Sequence, residues 1–232
     1  MTSSIDPKQF WDNKILAWED GRYGQRATHG SLLENLADLA SNSLRFRLVI
    51  TIELLKPHIE GKHIVELGCG SGLLGEGLIA MGAASYRGYD ISGNAVSHAR
   101  ELTAEKGLGE KVAFEVCSVA DLPNLNTDII FSLGLLDWLD DTALARVFEV
   151  GGKADFLHSI SEKRAEMSQY LHRLYVFLAY GWRTGSYVPQ YYTVAKIKRL
   201  ATHHHQRRLY IYRNSKLRFG TLVTTLPIDV QS

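Results

Sequence analysis

The stretch His63-Ile64-Val65-Glu66-Leu67-Gly68-Cys69-Gly70-Ser71-Gly72 constrains the fold more than any other part of this 232-residue chain. It reads as a short buried strand running into a glycine-rich turn, followed by a helix from Leu73 to Met81 that stops at Gly82. Glycines let a backbone turn tightly and approach a ligand closely, because no Cβ stands in the way. One acid, Glu66, sits inside the strand, just ahead of the first glycine.

The same alternation continues downstream. Ser85–Asp90 reads as a second strand, Gly93–Lys106 as a helix ended by Gly107, and Lys111–Cys117 as a third strand with Val112, Phe114 and Val116 alternating. Thr127–Leu133 reads as a fourth strand, Asp140–Val147 as a helix, and Lys153–Ser159 as a weaker fifth strand. Gln206–Asn214 and Leu217–Leu226 read as a hairpin around a two-residue turn, Ser215-Lys216, so that an antiparallel edge strand closes the sheet. The pattern predicts an α/β fold: a doubly wound, mostly parallel sheet with an antiparallel C-terminal hairpin. Upstream, Trp11, Ile15 and Trp18 share one face of a short helix, and residues 31–56 form a longer helix broken by Pro57. Residues 1–58 are therefore expected as an N-terminal helical cap on a domain spanning 59–232, with a helical, aromatic-rich insertion at about 162–192 and a helix near 193–203.

Composition narrows the class. Two cysteines, Cys69 and Cys117, make no disulfide framework. No apolar run has the length of a membrane span, and the opening MTSSIDPK has no apolar signal core, so a cytoplasmic location is expected. Charge is divided unevenly: residues 1–159 hold 14 basic and 22 acidic side chains, residues 160–232 hold 12 and 3. Such a split suits either an anionic partner on the C-terminal side or a basic segment docked on acids of its own chain.

Three ligand classes use a strand–glycine turn–helix unit. A phosphate-binding loop needs Gly-Lys-Ser/Thr, but Gly72 is followed by Leu73-Leu74. A dinucleotide turn wants G-x-G-x-x-G, and its third position here is Leu73. The spacing is instead G-x-G-x-G behind an acid, which repels a pyrophosphate and favours a ligand with a cationic amine. Asp90, at the end of the second strand, is placed to accept hydrogen bonds from both hydroxyls of a ribose. A nucleoside with a positively charged tail and no phosphates is implied.

HIVELGCGSG, GYDIS and TDIIFSLGLLDWL resemble, in order and separation, the nucleotide-binding motifs of the class I S-adenosylmethionine-dependent methyltransferases. The resemblance covers about residues 60–160 and implies a seven-stranded, Rossmann-like methyltransferase fold with S-adenosyl-L-methionine as cofactor. It would place Glu66, Gly68, Cys69, Gly70 and Gly72 around the methionine part, Asp90 at the ribose, Ile91, Ser118 and Val119 at the adenine, and Leu133 near the reactive end. Ser118 stands where many relatives carry an acid for the adenine amino group, while Asp121 lies further on. Singly, each residue also has a structural reading: glycines as turn formers, Asp90 or Ser92 as a helix cap, Cys69 as small packing.

The acceptor is less constrained. Relatives that methylate exocyclic base or glutamine amino groups usually carry Asn/Asp-Pro-Pro-Tyr after the fourth strand. The corresponding Ser132-Leu133-Gly134-Leu135-Leu136-Asp137-Trp138 is more similar to enzymes acting on small molecules. His158 and Asp137 are candidate bases at the carboxyl edge of the sheet. Trp18 and Tyr23, with Trp11, and Tyr191, with Tyr187 and Tyr192, are candidate walls of an acceptor pocket. Arg22, Arg173 and Arg183 would hold an anionic group. Adjacent residues on a helix diverge, so His203-His204-His205 does not make a metal site, and no metal is expected. O-methylation of a small, anionic acceptor is the expected activity, with no nucleic-acid partner. An RNA or protein methyltransferase using the basic C-terminal third, and a non-catalytic cofactor-binding protein, stay open as alternatives, as does the oligomeric state.

Overall fold

The computed structural model describes residues 6–23, 32–164, 187–204 and 207–228. Its centre is a seven-stranded sheet of β1 (His63–Leu67), β2 (Ser85–Asp90), β3 (Val112–Val116), β4 (Ile129–Ser132), β5 (Asp155–Ser161), β6 (Tyr210–Tyr212) and β7 (Gly220–Thr224), in the order β3-β2-β1-β4-β5-β7-β6. β1 to β5 are parallel, and β7 runs antiparallel to both β5 and β6. Among the described residues the helices are α1 (Pro7–Tyr23), α2 (Leu32–Leu55), α3 (Gly75–Ala80), α4 (Gly93–Glu105), α5 (Asp141–Val150) and α6 (Val194–His204).

A parallel strand covered on both faces is apolar on both, and the alternation sorts its side chains between two cores. Ile64, Phe131, Leu157 and Leu222 join Ile50 and Leu55 of α2, Leu78 of α3 and Val96 of α4 on one face. Val65, Leu67, Ile130, Phe156 and Val223 join Leu144 and Phe148 of α5 and Ile197 of α6 on the other. Full burial of a side chain such as Leu67 or Phe131 contributes about 1.5–3 kcal/mol. The lower half of α2 thus shares one core with β1.

The hairpin differs from its expected form. β6 and β7 are joined not by two residues but by residues 213–219, which contain a single 3-10 turn at Ser215–Leu217. Leu217, expected to start a strand, is fully buried beneath α2, where its carbonyl accepts the Ser43 hydroxyl at 3.0 Å. The antiparallel strand is also not at the edge: β7 is inserted between β5 and β6, so the edge strand β6 runs in the β5 direction. β5 is the longest strand, with five consecutive buried residues, because it lies inside the sheet. Residues 165–186, most of the expected insertion, lie outside the described residues.

Candidate functional site

The carboxyl ends of β3, β2, β1 and β4 lie side by side, which brings Ser118, Asp90, the glycine turn and Leu133–Gly134 to one edge of the sheet. Ligands of open α/β sheets bind at this edge, where the order of strands reverses. Here the reversal falls between β1 and β4.

The turn itself is built on left-handed backbone: Gly68, Gly70 and Gly72 have φ of +71°, +52° and +73°. At Gly72 a Cβ would also meet the Phe114 ring at 2.3 Å, so only glycine fits between the turn and β3. At Gly70 a Cβ would stand 1.9 Å from a carboxylate oxygen of Glu19 on α1. Asp90 fixes the turn to its surroundings. One of its oxygens accepts Gly70 N–H at 2.8 Å and the other accepts Ser92 N–H at 2.9 Å. Ser92, not Asp90, caps α4 by accepting Ala95 N–H.

Three carboxyl groups surround this turn. Glu66 is buried and accepts a hydrogen bond from the Tyr86 hydroxyl. Glu19 accepts Ser71 N–H at 3.2 and 3.3 Å. Burial foremost, and neighbouring acids after it, raise all three above their usual range: Glu19 and Asp90 act on Glu66, Asp90 on Glu19, Asp12 on Asp90, and Glu66 is raised to about 8 in all. A cationic group placed among them reverses that cost, whereas a phosphate adds to it. Among the described residues, no group of three or more His, Cys, Asp or Glu side chains is arranged to hold a metal.

The other predicted cofactor residues are arranged along the same edge. Ile91 is half-buried beyond Asp90, and Val119 is buried in a 3-10 turn capped by Ser118. Leu133 packs partly against the core. Cys69 points inward: its sulfur occupies the space beside Gly88, and burial pushes its thiol up. It is packing beneath the turn, not a group presented to a ligand.

The candidate bases lie toward the carboxyl ends of β4 and β5, but both side chains are buried. His158 is almost fully buried, stacked on Phe156 and edge-on to Phe148, with Ser132 Oγ 2.9 Å from its Nδ1. Its alternation on β5 turns it into the second core, away from an incoming acceptor. Asp137 is also buried; it accepts both the N–H and the hydroxyl of Ser161 at 2.7 Å and ties the loop after β4 to the end of β5. Tyr192, expected in a pocket wall, is a core residue whose hydroxyl donates to the Leu139 carbonyl. Tyr191 is half-buried beside it. The side chains of Trp18, Tyr23 and Arg22, together with Arg173 and Arg183, lie outside the described residues.

Sequence reasoning missed four contributors. Asp12 and Glu19, seven residues apart on α1, share a helix face, a spacing visible in the sequence. Asp12 accepts the Ser92 hydroxyl at 2.9 Å and so docks α1 on the N-terminus of α4. Trp138 meets Phe10, Trp11 and Tyr187 ring to ring, with centroids 5.0–6.0 Å apart, and Trp11 Nε1 donates to the Tyr187 hydroxyl. Arg47 of α2 is buried at 8 % exposure. Its guanidinium donates to Ser159 Oγ at 3.3 Å, and that oxygen also accepts Gly134 N–H. Nothing in local periodicity announces a buried arginine.

A cleft of about 510 Å³ lies at the opposite edge, at the amino ends of β1, β4 and β5, among Lys62, Asp128, Asp155 and Arg207. Two ion pairs lie in it, Lys62 with Asp128 and Arg207 with Asp155. It is remote from the glycine turn.

The model of a family described as "Methyltransferase domain" matches residues 64–151, from β1 to the turn after α5. Ribosomal protein L11 methyltransferase of Exiguobacterium sp. is 30 % identical over 53 % of this chain and 40 % of its own length. Ubiquinone biosynthesis O-methyltransferase of Thiobacillus denitrificans is 30 % identical over 48 % of each. The matched region thus spans under half the length of these curated relatives. Magnesium protoporphyrin IX methyltransferase of Synechocystis PCC 6803, a structure with bound SAH, superposes with a TM-score of 0.70 over 94 % of this chain and 96 % of that one, at 15 % identity.

Proposed function

We propose that this chain, whose residues 64–151 are a class I S-adenosylmethionine-dependent methyltransferase domain, transfers a methyl group from S-adenosyl-L-methionine to the oxygen of a small molecule. The observation that carries the cofactor reading is the acid-ringed glycine turn. Glu19, Glu66 and Asp90 suit the cationic end of this cofactor, and Asp90 keeps acceptor capacity for ribose hydroxyls while holding Gly70. Bound there, the cofactor supplies an electrophilic sulfonium methyl. The chain's own contribution is then positioning and exclusion of water: the turn and Asp90 fix one reactant, and the surfaces around Leu133–Gly134 orient the other. The aromatic group of Phe10, Trp11, Trp138 and Tyr187 roofs the loop after β4 and suits a flat, apolar acceptor body. The solved neighbour named for magnesium protoporphyrin IX supports the same reading over nearly the whole chain.

The similarity to ribosomal protein L11 methyltransferases favours a second reading, a protein acceptor. That similarity covers only part of each relative, and the local match is to the cofactor-binding half. Two experiments decide. S-adenosylhomocysteine is expected to raise the melting temperature of the wild type and not of Asp90→Ala; equal behaviour of both removes the cofactor assignment. With methyl-labelled cofactor and a cell extract, label is expected in the low-mass fraction, and label retained in protein selects the second reading.

A further inference from the structure

Of the three acids at the glycine turn, Glu19 alone comes from outside the sheet: α1 places it directly on the turn. The Glu19 carboxylate accepts Ser71 N–H at 3.2 and 3.3 Å and fills the space in front of Gly70. It is not a side chain that swings freely into this position. α1 is held at one point by Asp12, which accepts from Ser92 and from Asn94 N–H, and at another by Phe10 and Trp11 against Trp138 and Tyr187. Asp12 and Glu19 are two turns apart on one face, so docking Asp12 on α4 directs Glu19 at the turn.

This placement is electrostatically unfavourable by itself. Burial is the largest cost to Glu19, which is also brought toward two desolvated acids, Asp90 and Glu66; its hydrogen bonds with Ser71 and the field of His98 on α4 oppose that cost without cancelling it. A third carboxylate is advantageous there when a cation lies between them. The amino-acid end of the cofactor carries an ammonium and a carboxylate, and among three acids the ammonium is the end that is favoured.

We infer that Glu19 is a cofactor-binding residue, a carboxylate laid over the glycine turn by the N-terminal helix to take the ammonium of the cofactor's amino-acid end. The inference rests on the reading of the turn as the S-adenosylmethionine site. It makes α1 a lid whose closing is coupled to the cofactor: the ammonium removes the charge cost of docking Glu19, and docking removes water from the ammonium.

The test compares two ligands that share adenine and ribose. S-adenosylhomocysteine carries the amino-acid end, and 5′-methylthioadenosine lacks it. Calorimetric titration of wild type and Glu19→Gln is expected to show a loss of about tenfold or more for S-adenosylhomocysteine, the size of a charge-assisted hydrogen bond, and an unchanged affinity for 5′-methylthioadenosine. The second ligand also reports that the variant is folded. Equal losses for both ligands assign Glu19 to packing and overturn the inference. Unchanged or tighter binding of S-adenosylhomocysteine makes Glu19 a mere occupant of the turn and overturns it too. A wild type that binds neither ligand removes the cofactor reading itself, a result distinct from a variant that matches a binding wild type.

Discussion

A single methyl group added at Gly72 meets two obstacles. Its φ of +73° is strained for any side chain, and Phe114 stands 2.3 Å from where the Cβ would be. Gly61 shares the strain, at φ +67°, but has open space around it. Gly72→Ala is therefore expected to cost about 2–4 kcal/mol in urea unfolding and Gly61→Ala about 1–2, the left-handed penalty alone. Equal costs would mean that Phe114 yields without loss. Glu66 makes a pH argument at the same scale. Burial lifts its carboxyl to about 8 from the usual 4.5, against the lowering effect of the Tyr86 hydroxyl. The folded chain then holds a proton that the unfolded chain has released, so this contribution is complete below pH 4.5 and is lost as pH rises through 8. Wild type is expected to lose stability between pH 5 and 8, and Glu66→Gln to lose distinctly less over the same window; parallel curves would place the titration elsewhere.

At the scale of elements, the described residues of α1 are held by separable contacts: the Asp12 hydrogen bonds, the Glu19 cover, the ring contacts of Phe10 and Trp11, and the buried Ile15. Segments with few buried apolar contacts open at low free energy. Trp138→Ala removes ring partners of Phe10, Trp11 and Tyr187. Amide exchange in α1 is expected to speed up several-fold in that variant while β1 and β4 keep their protection; loss of protection throughout would show that Trp138 supports the core instead. The elements themselves were largely legible in the sequence, because strand alternation and glycine stops are local signals. β2 matches its expected limits residue for residue. The hairpin was not, because burial of Leu217 under α2 is a long-range demand that no turn propensity encodes. The site divides in the same way. The glycine turn and Asp90 are carried by one contiguous unit and were readable. Glu19 and Arg47 reach the site from distant segments, Trp138 acquires its part only through rings that α1 and Tyr187 bring to it, and His158 looked available only because the direction of its side chain from β5 was unknown.

Across the whole molecule, the uneven charge of the sequence resolves partly into internal pairing. Lys196 meets Asp141, Arg207 meets Asp155, and Arg164 and Arg213 converge on Glu162. Two of these pairs, Lys196–Asp141 and Arg207–Asp155, join bases of the C-terminal third to acids of the remainder, and the Glu162 group pairs two more within that third, which weakens the case for reading it as an anion-binding surface. Glu162 is the centre of this arrangement. It follows β5, accepts both Arg213 nitrogens from the end of β6, and accepts the Thr221 hydroxyl from β7, so one carboxylate joins three strands. These hydrogen bonds, the Arg213 pair foremost, hold its carboxyl at about 2, below the usual 4.5. A depressed carboxyl contributes stability that is complete above pH 4.5 and is lost as pH falls through 2. Arg213 is 50 % exposed, so solvent screening limits the contribution to about 1–2 kcal/mol. Glu162→Gln is expected to melt several degrees below wild type at pH 6. The gap narrows as the wild-type carboxylate is protonated and closes near pH 2. A gap that persists unchanged at pH 2 would assign the effect to lost packing between β5, β6 and β7, not to the charge that links them.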